Sequence, residues 1–248
     1  MRSAFFPDHN PAVANQWLSR DWLMWSLLWL LAVVISRFTD IDMMLTNSFY
    51  DPVAQTFPLR NEWLWDTGLH KGAKHFSTLA WVLLLIATVH ARWQGNMARY
   101  QPLVFVLVSS ALALMVNGLL KGHSSHSCPW ALNEYGGSAD YFRLLAATPI
   151  NPGPGHCLPS GHAGVAFMWW PVVYACARWR PQWRWPAALL VLAFGVFCSY
   201  VQIARGAHLL SHVLIAAAVC GSMSSLTYHL PDLRKFFTGA SKAAAQGA

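Results

Sequence analysis

Charged residues are scarce in this chain. Asp, Glu, Lys and Arg make up 11% of the sequence, against roughly a quarter in a soluble domain. The acidic residues are scattered, so the sequence offers no carboxylate cluster of the kind that binds magnesium. The cations are dispersed over short segments and form no single stripe, which argues against a nucleic-acid partner. These shortages exclude an ordinary soluble domain and favour a lipid bilayer as the solvent.

Apolar residues fill the space that charge leaves. They make up 55% of the chain and include 14 Trp, a residue type that concentrates at membrane–water interfaces. A spanning helix needs about 20 mostly apolar residues. We therefore predict an all-α fold, an integral membrane bundle of six transmembrane helices within a single domain over residues 1–230, followed by a disordered cytoplasmic tail over 231–248. The predicted spans are 22–38, 76–90, 103–120, 163–177, 187–204 and 208–228.

Loop charge sets the expected orientation. Arg178, Arg180 and Arg184 crowd one short loop, and loops rich in Lys and Arg stay on the cytoplasmic side. With the amino terminus on that same side, the two long segments 39–75 and 121–161 face outward. Long loops between helices are often functional. We therefore expect a bacterial-type inner membrane protein whose site faces the periplasm.

Three short stretches of reactive residues fall at the outward ends of the predicted spans. Lys121 ends the third span, and Pro159-Ser160-Gly161-His162 opens the fourth. Arg205-Gly206-Ala207-His208 joins the fifth to the sixth, with His212 four residues later. The topology came from charge alone, yet all three stretches lie on one side. They are therefore predicted to form one site.

The residue types in these stretches suit a phosphate group. Ser160 is a good helix N-cap, and free amides at a helix start bind anions. Gly161 allows close approach of the backbone to a ligand. Lys121 and Arg205 supply positive charge, and the fork of a guanidinium matches phosphate oxygens. We predict that Lys121, Ser160, Gly161 and Arg205 bind the phosphate of a substrate.

The histidines supply a nucleophile and an acid. His208 and His162 can serve in these roles near neutral pH, which predicts phosphoryl transfer through a phosphohistidine with no metal and no cofactor. His208 and His212 are four residues apart and are expected to share a helix face. The competing assignment makes His212 the nucleophile and His208 its orienting partner.

With these residues in place, the sequence resembles the type 2 phosphatidic acid phosphatase superfamily, in its membrane lipid phosphatase branch. The pattern of that family is Lys-x6-Arg-Pro, then Pro-Ser-Gly-His, then Ser-Arg-x5-His-x3-Asp. Lys121, the tetrapeptide 159–162 and His208 match it. The resemblance covers roughly residues 76–228 and implies a membrane lipid phosphate as the substrate.

Three positions depart from the family pattern. Cys128 and Gln202 stand where the pattern has arginines, and His212 stands where it has the Asp that orients the nucleophile. We expect Arg205 to substitute for the guanidinium missing at position 202 and His212 to orient His208 through a ring-nitrogen hydrogen bond.

These departures leave other functions open. A sealed site with a second lipid groove would favour transfer of the phosphoryl group to another lipid. The three replacements favour a non-catalytic relative that binds or translocates lipid. A haloperoxidase of the same superfamily fits poorly, since those proteins resemble soluble ones.

Two interpretations remain for the cysteine and histidine residues of the segment 121–161. His123, His126, Cys128, His156 and Cys157 suggest a zinc site, although their spacing is loose. A disulfide between Cys128 and Cys157 is favoured over zinc, because both cysteines lie on the oxidising side of the membrane.

Overall fold

The computed structural model describes residues 20–230, and the predicted tail over 231–248 lies outside them. Within this range the regular structure is helical and no named strand forms, so the prediction of an all-α fold is confirmed. Four 3-10 turns, at Pro58–Arg60, Pro129–Ala131, Asn133–Tyr135 and Pro181–Trp183, and one π-helical segment, Leu64–Lys71, supplement the α-helices. The α-helices are α1 (Asp21–Phe38), α2 (Ile41–Asn47), α3 (Gly72–Trp93), α4 (Met97–Gly122), α5 (Gly161–Phe167), α6 (Pro171–Trp179), α7 (Arg184–Ala204) and α8 (Leu210–His229).

Five helical stretches of the described chain are long and apolar enough to cross a membrane. The predicted continuous span over 163–177 is corrected, because this region forms the short helices α5 and α6 with a turn between them. Pro171 has no backbone N–H, and in a continuous helix its ring would clash with the carbonyl four residues earlier, at Phe167, where α5 ends. The five spanning stretches are Asp21–Phe38, Leu64–Trp93, Met97–Gly122, Pro181–Ala204 and Leu210–His229.

Helix α8 lies at the centre of the bundle. In its most apolar window 72% of the residues are buried, against 11% for the stretch that contains α3. Its buried residues lie on all sides of the helix, which is typical of a helix inside a bundle. It packs against α1, α4 and α5, and small residues such as Ala216, Ala218 and Gly221 allow the close approach. Helices α1, α2, α4, α5, α6 and α7 therefore pack around the element that follows His208.

The outward faces of the surrounding helices remain apolar. Leu27 and Leu30 on α1, Ile86 on α3 and Leu189 and Leu190 on α7 are all more than half exposed. Exposed leucines in such number would be an aggregation liability in water but suit contact with lipid tails. The bundle therefore presents an apolar exterior around its core.

The tightest packing contact of the central helix involves Gly221. A Cβ atom at this position would lie 2.2 Å from the ring of Trp25 on α1. We expect Gly221→Ala to lower the midpoint of thermal unfolding in detergent, because overpacking costs roughly 1–3 kcal/mol. Gly118→Ala on α4 is the matched control, since a Cβ atom there meets nothing within 4 Å. Equal midpoints for the two variants would contradict this packing.

Candidate active site

Two of the predicted phosphate-binding groups come together at one end of the bundle. Lys121 lies in the last turn of α4, and Gly161 is the first residue of α5. A Cβ atom at Gly161 would lie 3.7 Å from Lys121 Cδ, so the lysine stem passes over the start of α5. The Lys121 ammonium donates to the carbonyl of His156. An ammonium has three donors, so two remain for a ligand.

Ser160 forms the cap that the sequence predicts. Its hydroxyl accepts a hydrogen bond from Ala163 N at 3.3 Å, and the residue is fully buried. Its backbone N–H donates to the carbonyl of His212 at 3.1 Å, and its own carbonyl accepts from Asn117 Nδ2 at 3.3 Å. The start of α5 is thus fastened to both α4 and α8. This joins the second and third motifs directly.

The structure corrects the predicted relation between His208 and His212. Helix α8 begins at Leu210, so His208 lies in the preceding turn and the two residues do not share a helix face. Their rings meet edge to face with centroids 5.9 Å apart. No hydrogen bond joins them within the described chain, and the buried Nδ1 of His212 has no partner there. The predicted hydrogen bond from His212 to His208 is therefore wrong for this structure.

An acidic residue that the sequence analysis did not select explains where α8 begins. Leu209 precedes the helix and offers no side-chain acceptor, but Asp42 of α2 accepts from Ser211 N at 2.8 Å and from Ser211 Oγ at 2.6 Å. Burial raises the pKa of the Asp42 carboxyl, and its bonds to Ser211 oppose that rise. A carboxylate at a helix N-terminus also offsets the helix dipole. Asp42 therefore fixes the start of α8, which contains His212 and directly follows His208.

His208 is a buried, uncharged imidazole. Only 6% of the residue is exposed, and its Nδ1 lies 3.3 Å from Cys157 Sγ. Burial, followed by the neighbouring His212, Lys121 and His162, holds the pKa of His208 well below its ordinary value. A neutral imidazole has a free lone pair, which a nucleophile requires. The same neighbours show that the three motifs meet in one place.

The ring of His162 is covered by a histidine from outside the three motifs. His70, in the π-helical segment, stacks on His162 with a centroid separation of 3.5 Å and an interplanar angle of 25°. His70 Nδ1 also lies 2.8 Å from Nε2 of Gln202, a buried residue of α7. The Nε2 atom of His162 is buried and has no hydrogen-bond partner among the described residues. His70 is one of two histidines in the segment 39–75 and belongs to none of the three motifs, so the sequence gave no local signal for this contact.

Arg205 is engaged by protein groups. Its Nε and one terminal nitrogen donate to the carbonyl of Arg60 at 3.1 and 2.9 Å, and the same terminal nitrogen pairs with Asp66 at 2.5 Å. Asp66 belongs to the π-helical segment, so the pair ties this segment to the end of α7. Because this charge is already paired, phosphate binding by Arg205 stays a prediction.

The disulfide between Cys128 and Cys157 is present, as predicted, with a Cα–Cα distance of 5.2 Å. These cysteines and His208 are the group of potential metal ligands that comes together in residues 20–230. Because the two sulfurs are bonded to each other, neither is available as a thiolate ligand for zinc. His123 lies apart and contacts the carbonyl of Leu119. The structure therefore does not assemble the zinc set considered from the sequence.

We expect the disulfide to stabilise both the loop that contains it and the position of His208. We expect Cys128→Ser/Cys157→Ser to lower the midpoint of thermal unfolding, since a native disulfide contributes about 2–4 kcal/mol. Activity on any substrate of this site should fall without disappearing, because the loop beside His208 loosens while the histidine itself remains. Cys176→Ser is the control, since this thiol is free. Finding both thiols free by mass spectrometry of protein from an oxidising compartment would contradict the bridge.

Comparison with known proteins is consistent with this arrangement. A family profile, PAP2 superfamily, matches residues 102–236, more than half of the chain. No curated protein matches the chain in sequence. Among solved structures, the crystal structure of the first transmembrane PAP2 type phosphatidylglycerolphosphate phosphatase from Bacillus subtilis matches with a TM-score of 0.52 at 15% identity, covering 84% of this chain and 94% of that one.

The solved structure supports the fold and leaves the substrate open, since the identity is low. The profile includes the Lys121, His162 and His208 motifs and therefore confirms the resemblance drawn from them. Because it extends over more than half of the chain and the helices follow a known transmembrane arrangement, this protein belongs to the PAP2 superfamily.

Proposed function

We propose that this protein hydrolyses the phosphomonoester or pyrophosphate head group of a membrane lipid through a phosphohistidine, without a metal, at the periplasmic face of a bacterial inner membrane. The observation that carries the proposal is the convergence of Lys121, the capped start of α5, His162 and His208 at one end of an apolar bundle. Family membership supports lipid phosphatase activity in general.

The first half of the reaction forms a bond to His208. Its Nδ1 faces Cys157 Sγ, which leaves Nε2 to attack phosphorus. As the N–P bond forms, the P–O bond to the lipid breaks, and the leaving oxygen takes a proton from His162. Lys121 and the free amides at the start of α5 stabilise the charge on the phosphoryl oxygens. The unpaired Nε2 of His162 is available for this proton transfer.

The second half returns the enzyme to its starting state. His162, now neutral, takes a proton from water, and the hydroxide attacks phosphorus as the N–P bond breaks. Inorganic phosphate leaves, His208 recovers its lone pair, and His162 is again protonated. The acyl chains of the substrate remain between the apolar helices throughout. No electrons are gained or lost in either step.

His208→Ala should abolish turnover, whereas His212→Ala should lose roughly ten- to a thousandfold, the share of a group that assists the nucleophile. His90→Ala is the control, because His90 is exposed in the last turn of α3. The purified protein is assayed for phosphate release from phosphatidic acid, phosphatidylglycerophosphate and undecaprenyl pyrophosphate. Phosphatidylglycerophosphate is tested first, because the solved relative is named for it.

Several outcomes separate the alternatives. Release of no phosphate from any lipid, with binding retained, would favour a non-catalytic lipid-binding protein. Appearance of phosphate on an added acceptor lipid would indicate a phosphotransferase. Phosphate trapped on His212 in place of His208 would reverse the assignment of the nucleophile, and loss of activity on EDTA treatment, restored by Zn²⁺, would overturn metal independence.

The pH dependence follows from the depressed pKa of His208. A lowered pKa means that the neutral, nucleophilic ring persists as the pH falls below about 6.5, the ordinary histidine value. We therefore expect kcat/KM to be retained down to at least about one pH unit below that value. The measurement is a pH–rate profile in detergent micelles. An acid limb centred near about pH 6.5 would show that a histidine with an ordinary pKa controls the reaction instead.

A further inference from the structure

Gln202 has a partner where the family pattern predicts a cation. The pattern places an arginine six residues before the nucleophilic histidine, and this chain has Gln202 there. Its side chain is 2% exposed, and its amide nitrogen lies 2.8 Å from His70 Nδ1. The position therefore supplies no positive charge in this protein. Instead, the Gln202 side chain contacts His70.

Two contacts clamp the segment that carries His70. Gln202 contacts His70, and Arg205, less than one turn further along the chain, pairs with Asp66 at 2.5 Å. Both partners belong to the π-helical segment Leu64–Lys71. π-Helical turns are uncommon and occur frequently at functional sites. These two contacts with the end of α7 hold the segment beside the start of α5, where His162 lies.

His70 covers one face of His162 and leaves the reacting nitrogen free. The rings are 3.5 Å apart and close to parallel, whereas the Nε2 atom of His162 keeps no partner in the described chain. Stacking fixes the plane of an imidazole and excludes water from that face.

We propose that His70 is a positioning residue for His162, held in place by Gln202 and by the Arg205–Asp66 pair. The proposal rests on the proposed function, in which His162 gives a proton to the leaving oxygen and takes one from water. The Gln202 amide can donate or accept, so its bond to His70 survives in either neutral tautomer. His70 forms no bond to phosphorus and acts only through the orientation of His162.

The kinetic test compares His70 with its neighbour His75. His75 lies on the same helical stretch, is exposed, and has no ring contact or hydrogen bond among those of the described residues. We expect His70→Ala to lower kcat by about ten- to a hundredfold with little change in KM, since misplacement of a catalytic group by about 1 Å can cost a hundredfold. His75→Ala should match the wild type, and His70→Phe should recover only part of kcat, because it restores a flat ring without the bond to Gln202.

The contribution of Gln202 is tested in a double-mutant cycle. Gln202→Ala should lower kcat to a similar extent, and His70→Ala/Gln202→Ala should be no worse than either single variant, because both act through one stack. Additive losses would mean that Gln202 acts elsewhere. A rise in KM equal to the fall in kcat, without rescue by His70→Phe, would assign His70 to substrate contact and overturn the positioning role.

A second measurement needs no substrate. Diethyl pyrocarbonate modifies accessible neutral imidazoles, and peptide mass spectrometry gives the rate for each histidine. His70→Ala should raise the modification rate of His162 severalfold in folded, detergent-solubilised protein, and His75→Ala should not. An unchanged rate would show that His70 does not cover His162. If the wild type hydrolyses no lipid phosphate, the proposed function fails, but this measurement still decides the contact. If the wild type is active and His70→Ala equals His75→Ala in kcat, the inference alone fails.

Discussion

The buried carboxylate of Asp42 is the contact on which the placement of the histidines depends. A helix leaves its first backbone amides without partners inside the helix, so a buried helix start needs acceptors from elsewhere in the protein. Asp42 accepts from both the amide and the hydroxyl of Ser211, so α8 starts at Leu210. His208 consequently stays in the turn before the helix, and His212 falls within its first turn. The backbone N–H of Ser160 then donates to the carbonyl of His212, so the position of α8 also fixes the start of α5.

Local sequence signals predicted the helices but not all of their ends. Long apolar runs are independent of tertiary context, so the five spanning stretches agree with the predicted segments. The break between α5 and α6 could have been predicted from the sequence, since proline is favoured in the first turn of a helix and Pro171 begins α6. The start of α8 was not, because its cap comes from Asp42, far away in the sequence. The assumption that His208 and His212 share a helix face failed for this reason.

The candidate site was predictable only as far as its motifs extend. Lys121, Ser160, His162 and His208 carry their chemistry in short local patterns, and the structure brings them together. The stack of His70 on His162 joins residues 92 positions apart. It depends on a π-helical segment that the hydrophobic periodicity of the sequence does not predict. The pairing of Arg205 with Asp66 is equally nonlocal. Sequence patterns could therefore predict the candidate reacting groups but not the residues that fix the positions of those groups.

The three departures from the family pattern share a physical consequence. Cys128 is in a disulfide, Gln202 holds His70, and His212 is a buried ring without a bond to His208. Each replaces a permanently charged side chain with a group that carries no fixed charge.

A site with few fixed charges inside an apolar bundle has low internal repulsion when empty, because neutral imidazoles need no counter-ions. In the proposed mechanism, the negative charge enters the site with the phosphate of the substrate. A phosphate dianion in this low-dielectric setting interacts strongly with Lys121 and favours protonation of a nearby imidazole. In the proposed mechanism, binding of the phosphate and protonation of His162 are then coupled, so the general acid forms where the leaving group lies. Under this scheme the stack on His70 has a clear use, since it holds His162 in one plane while its charge changes.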